Sequence, residues 1–119
     1  MPEIARHNDV TVVQLGAKYD ALDDAIINQF RDQLLEQADK ADPPLLVIDM
    51  GPTKFIGSSF IEILFRAFKR VTQRDGRMVL CSVDPYCAEV LRATRVDTII
   101  DSYPSCESAV QALLPGKMA

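Results

Sequence analysis

Positive charge is scarce in this chain. Thirteen lysines and arginines stand against 17 aspartates and glutamates, for a formal net charge of −4 and a pI near 4.9. A nucleic-acid or anionic-membrane binder normally carries a basic stripe and a high pI, so this balance argues against both partner classes. Arg66, Lys69, Arg70 and Arg74 do cluster, but on the second half of an expected helix, where cations offset the negative end of the helix dipole. Long apolar runs are also missing. No stretch approaches the ~20 residues of a membrane span, and Met1-Pro2-Glu3-Ile4 does not open a basic-then-apolar leader. The expectation is a cytoplasmic chain with no membrane insertion. Cysteine is limited to Cys81, Cys87 and Cys106. An odd number without Cys-x-x-Cys spacing reads as reduced thiols in a reducing compartment, with Cys81 a core residue. His7 is the single histidine, and no His/Cys cluster has metal-ligand spacing. Neither a metal nor another cofactor is expected.

What is present suits one domain spanning residues 1–119. Hydrophobic residues make up 48% and charged residues 25%, ordinary values for a folded globule, and a chain of this length can bury a core without disulfide or metal support. Val10 to Leu15 reads as a strand, with an edge strand around Glu3 to Arg6 before it and an Asn8-Asp9 turn between them. Asp20 is the expected cap of a first helix, with Asp23 and Asp24 in its first turn. Leu22, Ile26, Phe30 and Leu34, widened by Ala25 and Leu35, form its inner stripe. Pro43-Pro44 stops it near Lys40. Leu45-Leu46-Val47-Ile48 fits a strand buried on both faces, closed by Asp49.

A second helix follows Gly57. Ser59-Phe60-Ile61-Glu62 matches a capping box, with Ser59 as cap and Glu62 as its reciprocal partner. Ile61, Leu64, Phe65, Phe68 and Val71 form the core stripe, and Asp75-Gly76 ends the helix. Met78 to Cys81 is a strand. Asp84-Pro85 starts a third helix with Val90, Leu91 and Thr94 inward. Val96 to Ile100 contains the expected last strand, and Ser105 caps a final helix carrying Ala109, Val110, Leu113 and Leu114. Pro115 to Ala119 is expected to fray. Alternation of this kind predicts an α/β fold with parallel crossovers.

In such folds working residues sit where a strand gives way to a helix N-terminus. The segment concerned is Leu46-Val47-Ile48-Asp49-Met50-Gly51-Pro52-Thr53-Lys54-Phe55-Ile56-Gly57-Ser58-Ser59. It resembles the STAS family, whose soluble members include anti-sigma-factor antagonists: an apolar strand ending in Asp, an extended link with an aromatic-aliphatic pair, a short hydroxyl motif and an amphipathic helix. Gly76 to Cys81, Val83-Asp84-Pro85 with Val90-Leu91, and Tyr103-Pro104-Ser105 with Ala109 continue the resemblance across roughly residues 10 to 113.

The resemblance implies a mixed, mostly parallel sheet of four to five strands with about four helices. It also implies that Ser58 is a phosphorylation site. The implied partner is an anti-sigma factor with serine kinase activity, which the unphosphorylated chain binds and which phosphorylation releases, with a phosphatase to reset the switch. Gly57, Ser58, Ser59, Phe60, Ile63 and Ala67 are the candidate partner-binding residues. Gly57 stands where the family has Asp, and Phe60 where it has Gly. Both substitutions motivate an alternative, a non-phosphorylated scaffold subunit of a signalling or lipid-transport ABC complex. The oligomeric state is left open.

Rival chemistries lack parts. Ser58 has no evident base, and Gly57-Ser58-Ser59-Phe60-Ile61 is not the Gly-x-Ser-x-Gly elbow of a hydrolase. Gly51-Pro52-Thr53-Lys54 lacks the second glycine of a phosphate loop. Asp49 could suggest the phosphoacceptor of a receiver domain, but no acidic pair follows the first strand at Gln14-Leu15-Gly16-Ala17. No catalytic residue is assigned, and an enzyme is not expected.

Overall fold

In the computed structural model, which describes residues 3–7, 9–15, 18–19 and 24–114, the apolar runs become strands and the striped segments become helices. In chain order these are β1 (Glu3–His7), β2 (Val10–Gln14), β3 (Lys18–Tyr19), α1 (Asp24–Lys40), β4 (Leu45–Asp49), β5 (Phe55–Ile56), α2 (Ser58–Gln73), β6 (Arg77–Cys81), α3 (Pro85–Ala93), β7 (Ser102–Tyr103) and α4 (Cys106–Leu113). The main sheet has the order β1-β2-β4-β6-β7. Its β1–β2 edge is an antiparallel hairpin, and the other neighbours are parallel. A separate two-stranded parallel ribbon pairs β3 with β5. This is the mixed, mostly parallel sheet with four helices, counted among the described residues, that the family resemblance implies.

The pleat sends alternate residues to opposite faces. Val13, Leu46, Ile48, Met78 and Leu80 join the core under α1, α2 and α3, with Phe30, Leu34, Phe60, Leu64 and Leu91. Val10, Val12, Val47, Val79 and Cys81 face the other way, against Ala109, Val110 and Leu113 of α4. The wholly apolar run of β4 is therefore a strand covered on both faces, as its composition predicts.

Several expectations need correction. The last strand is not Val96–Ile100. Arg95 takes a left-handed conformation with φ 65°, and Val96–Thr98 is a 3-10 turn. Val96 and Ile100 are buried and Ile99 is exposed, so the inward residues recur at turn spacing rather than alternating. The strand forms at Ser102–Tyr103 beside β6. On α1 the inner stripe runs through Ile27, Phe30, Leu34, Leu35 and Ala38, while Ile26 and Ala25 are exposed. The expected contributions of Asn8, Asp20, Leu22, Asp23 and Pro115–Ala119 lie outside the described residues.

Two members of the basic cluster are engaged within the fold, while Arg66 and Lys69 stay exposed. Arg74 donates to the Ala38 and Ala41 carbonyls at 2.9 and 2.7 Å, which satisfies open acceptors at the end of α1. Arg70 pairs with Asp39 at 2.9 Å.

Candidate functional site

β4 lies between β2 and β6 and delivers Asp49 at its end. The Asp49 carboxylate accepts the Gly51 N–H at 3.0 Å, an Asx-type turn that redirects the chain. The Met50 N–H donates to the Cys81 carbonyl and the Thr53 N–H to the Met50 carbonyl, both at 3.0 Å. The link is thus pinned to the end of β6 before it reaches β5 and Gly57.

The start of α2 differs from the capping box read in the sequence. Gly57 is the N-cap, extended at φ −119° and ψ −174°, and no side chain caps the helix. The Ile61 N–H donates to the Gly57 carbonyl at 3.3 Å. Ser58 is therefore the first helical residue and Ser59 the second. Ser59 does not act as the cap, and Glu62 is an exposed residue of the next turn. Phe60 explains the shift. Its ring is fully buried and stacks on Phe30 with centroids 4.9 Å apart and planes within 9°. Burying a phenylalanine contributes ~1.5–3 kcal/mol, against ~1 kcal/mol for a serine cap. The ring sets the phase of the helix, and glycine is a tolerated cap.

The same phase corrects the expected partner surface. Phe60, Ile63 and Ala67 are all buried and belong to the core. The side of α2 that remains open carries Ser58, Glu62, Arg66 and Lys69, all exposed. Gly57 and Ser59 are half-buried beside them.

Two residues not singled out as partner contacts join β5, which leads into the Ser58 turn, to the start of α3. Phe55 is 45% and Tyr86 52% exposed, and their rings meet at 5.8 Å and 60°. Next to Phe55 in the chain, Lys54 pairs with Asp84 at 3.2 Å. Asp84 is also the cap of α3, accepting the Tyr86 N–H at 2.9 Å. That backbone bond, reinforced by Lys54, holds the Asp84 carboxyl below the usual carboxylate range. The strand that enters the Ser58 turn is therefore tied to the start of α3 by an ion pair and a ring contact. An exposed aromatic three residues before Ser58 was the available sequence signal; its pairing with Tyr86 is long-range and has none.

On the α4 side of the sheet lies an open cavity of about 740 Å³, lined in part by His7, Gln14, Asp49, Cys106, Glu107 and Gln111. Cys81, Cys106 and Asp49 bring their ligand-type atoms within 4.8 Å of one another. No metal-type grouping was expected from the sequence. Burial first, and the Asp49 charge second, push the Cys81 thiol up to about 12, and the Cys106 thiol is raised for the same two reasons. Cys87 is buried in the core on the other face.

Comparison with known proteins agrees with this architecture. The model of the STAS domain family matches residues 1–109. A solved anti-sigma-factor antagonist (STAS) domain protein from Planctomyces limnophilus superposes with a TM-score of 0.83 at 32% identity, covering 95% of this chain and 97% of that one. BtrV of Bordetella bronchiseptica, assigned as an anti-sigma factor antagonist, is 29% identical over 84 residues, 71% of this chain and 72% of its own. The Bacillus protein SpoIIAA in its phosphorylated form shares the fold, with a TM-score of 0.69 at 13% identity over 96% of this chain and all (100%) of its own.

Proposed function

We propose that this chain, which belongs to the STAS domain family, is an anti-sigma-factor antagonist that binds a kinase-type anti-sigma factor and is released by phosphorylation of Ser58. The observation that carries this reading is the position of Ser58, exposed and first in α2, whose first turn holds no acidic residue. A phosphoryl group there adds about −1.5 to −2 charges. It would lie at the positive end of the helix dipole, where an anion contributes roughly 0.3–1 kcal/mol of stabilisation. The free chain tolerates the modification. A partner packed over the turn does not, because its surface would have to desolvate a dianion.

In this reading Gly57, Ser58 and Ser59 meet the partner, together with Phe55 and Tyr86, and Phe60, Ile63 and Ala67 hold the helix from behind. Phe60 replaces a family glycine without crowding the turn, because its ring points into the core. The SpoIIAA neighbour exists in a phosphorylated form, a precedent for the modification within the fold.

Gly57 favours a second reading. It leaves no carboxylate before Ser58, which suits the scaffold subunit of a signalling or lipid-transport ABC complex that is never phosphorylated.

Two measurements test the switch. Ser58→Asp is expected to keep or raise the melting temperature and to weaken binding to a cognate anti-sigma factor by tenfold or more, about 1.4 kcal/mol. Incubation with that factor and ATP is expected to add one phosphoryl group by intact mass, absent in Ser58→Ala. Equal affinity of wild type and Ser58→Asp sinks the switch. Stable binding with no phosphoryl transfer selects the scaffold.

A further inference from the structure

We propose that Asp49, Cys81 and Cys106 form a binding site for a thiophilic divalent cation, zinc above all, reached through the cavity beside α4. The fold, rather than sequence spacing, assembles the site. Asp49 ends β4 and Cys81 ends β6, and the two are direct neighbours in the parallel register. Cys106 is the first residue of α4, which packs over the same ends of the sheet.

The distances suit the ion. Bonds of about 2.3 Å to sulfur and 2.0–2.2 Å to oxygen in a tetrahedral site put ligand atoms roughly 3.5–3.8 Å apart. The three atoms already lie within 4.8 Å, so contraction by about 1 Å completes the arrangement, a movement open to a half-buried residue at the start of a helix. Asp49 is oriented in advance by the Gly51 N–H at 3.0 Å, the kind of outer support that fixes metal-ligating carboxylates. Two sulfurs and one carboxylate select zinc over magnesium or calcium, which take oxygen sets. Asp49 and Cys106 both line the cavity, which supplies an entry path and room for a water as a fourth ligand. On binding, two sulfur–metal bonds form and the two thiol protons leave to solvent.

The site opens on the cavity beside α4, whose lining does not include Ser58, and does not depend on the antagonist reading. The test is a titration of the full, reduced chain with Co²⁺ and then Zn²⁺. The expected result is a thiolate-to-cobalt charge-transfer band saturating at one ion per chain and bleached by zinc. Zinc should also shield Cys106 from iodoacetamide. Cys106→Ser should abolish the band, and Asp49→Asn should weaken zinc binding tenfold or more against a chromophoric chelator. Cys87→Ser, on the opposite face of the sheet, and Ser58→Ala should bind as wild type does. Circular dichroism of each variant checks that it folds. Absence of the thiolate band in the wild-type chain overturns the proposal, as does its persistence in a folded Cys106→Ser variant or its loss in a folded Cys87→Ser variant.

Discussion

Asp75 has φ 59°, a left-handed conformation in which a residue bearing a Cβ is mildly strained. It occupies the position after the Arg74 C-cap of α2, where glycine is usual. The Asp75 N–H donates to the Thr72 carbonyl at 3.1 Å and the Gly76 N–H to the Val71 carbonyl at 2.9 Å, the paired bonds of a Schellman ending. Gly76, the expected terminator, has a different duty. A Cβ there would lie 2.1 Å from the Pro44 carbonyl oxygen, the same oxygen that accepts the Arg77 N–H at 3.0 Å as β6 begins. The two neighbours should therefore respond oppositely. Gly76→Ala is expected to destabilise by about 1–3 kcal/mol, since backbone must move to admit one methyl group. Asp75→Gly should stay within about 0.5 kcal/mol of wild type or gain slightly, because relief of strain offsets added freedom in the unfolded chain. Urea midpoints at constant m-value decide both.

The element scale separates patterns that describe a segment by itself from those that need its neighbours. Strand alternation and helix stripes come from burial against a sheet, so the order of elements was legible in the sequence. Helix starts were legible only where no competing burial intervened. At α4 the reading of Ser105 holds: its hydroxyl accepts the Ser108 N–H at 3.1 Å, and Ser108 Oγ accepts the Ser105 N–H at 3.2 Å. At α2 the same kind of signal, Ser59 with Glu62, is overridden by the Phe60–Phe30 stack. The contrast is measurable. Ser105→Ala is expected to cost ~1 kcal/mol, whereas Ser59→Ala should change stability by less than about 0.5 kcal/mol. A loss at Ser59 as large as that at Ser105 would mean that its hydroxyl caps the helix after all.

Across the whole molecule, the features that escaped the sequence are those that the chain assembles from distant segments. Asp49, Cys81 and Cys106 come from two strands and a helix. Phe55 and Tyr86 come from β5 and α3. Ser58 was singled out through the family resemblance, which rests on the order of patterned elements around it; the pairing of Phe55 with Tyr86 had no such signal. That pairing leads to a prediction about recognition. Among the described residues five large hydrophobics are exposed, Ile4, Ile26, Phe55, Tyr86 and Ile99, and the two aromatic ones, Phe55 and Tyr86, are in ring contact with each other. Aromatic anchors dominate interface energies when a partner desolvates them, and contribute little to the free fold when they are half in water. Phe55→Ala and Tyr86→Ala are each expected to weaken anti-sigma-factor binding by roughly 1–2 kcal/mol while leaving the thermal midpoint nearly unchanged. Because the rings touch, the double variant should lose less than the two single losses together. Isothermal titration of the four proteins against one anti-sigma factor reads out the cycle. Wild-type affinity in both single variants would place the partner elsewhere, on the polar ridge of Glu62, Arg66 and Lys69, and would turn the aromatic pair into a local brace between β5 and α3.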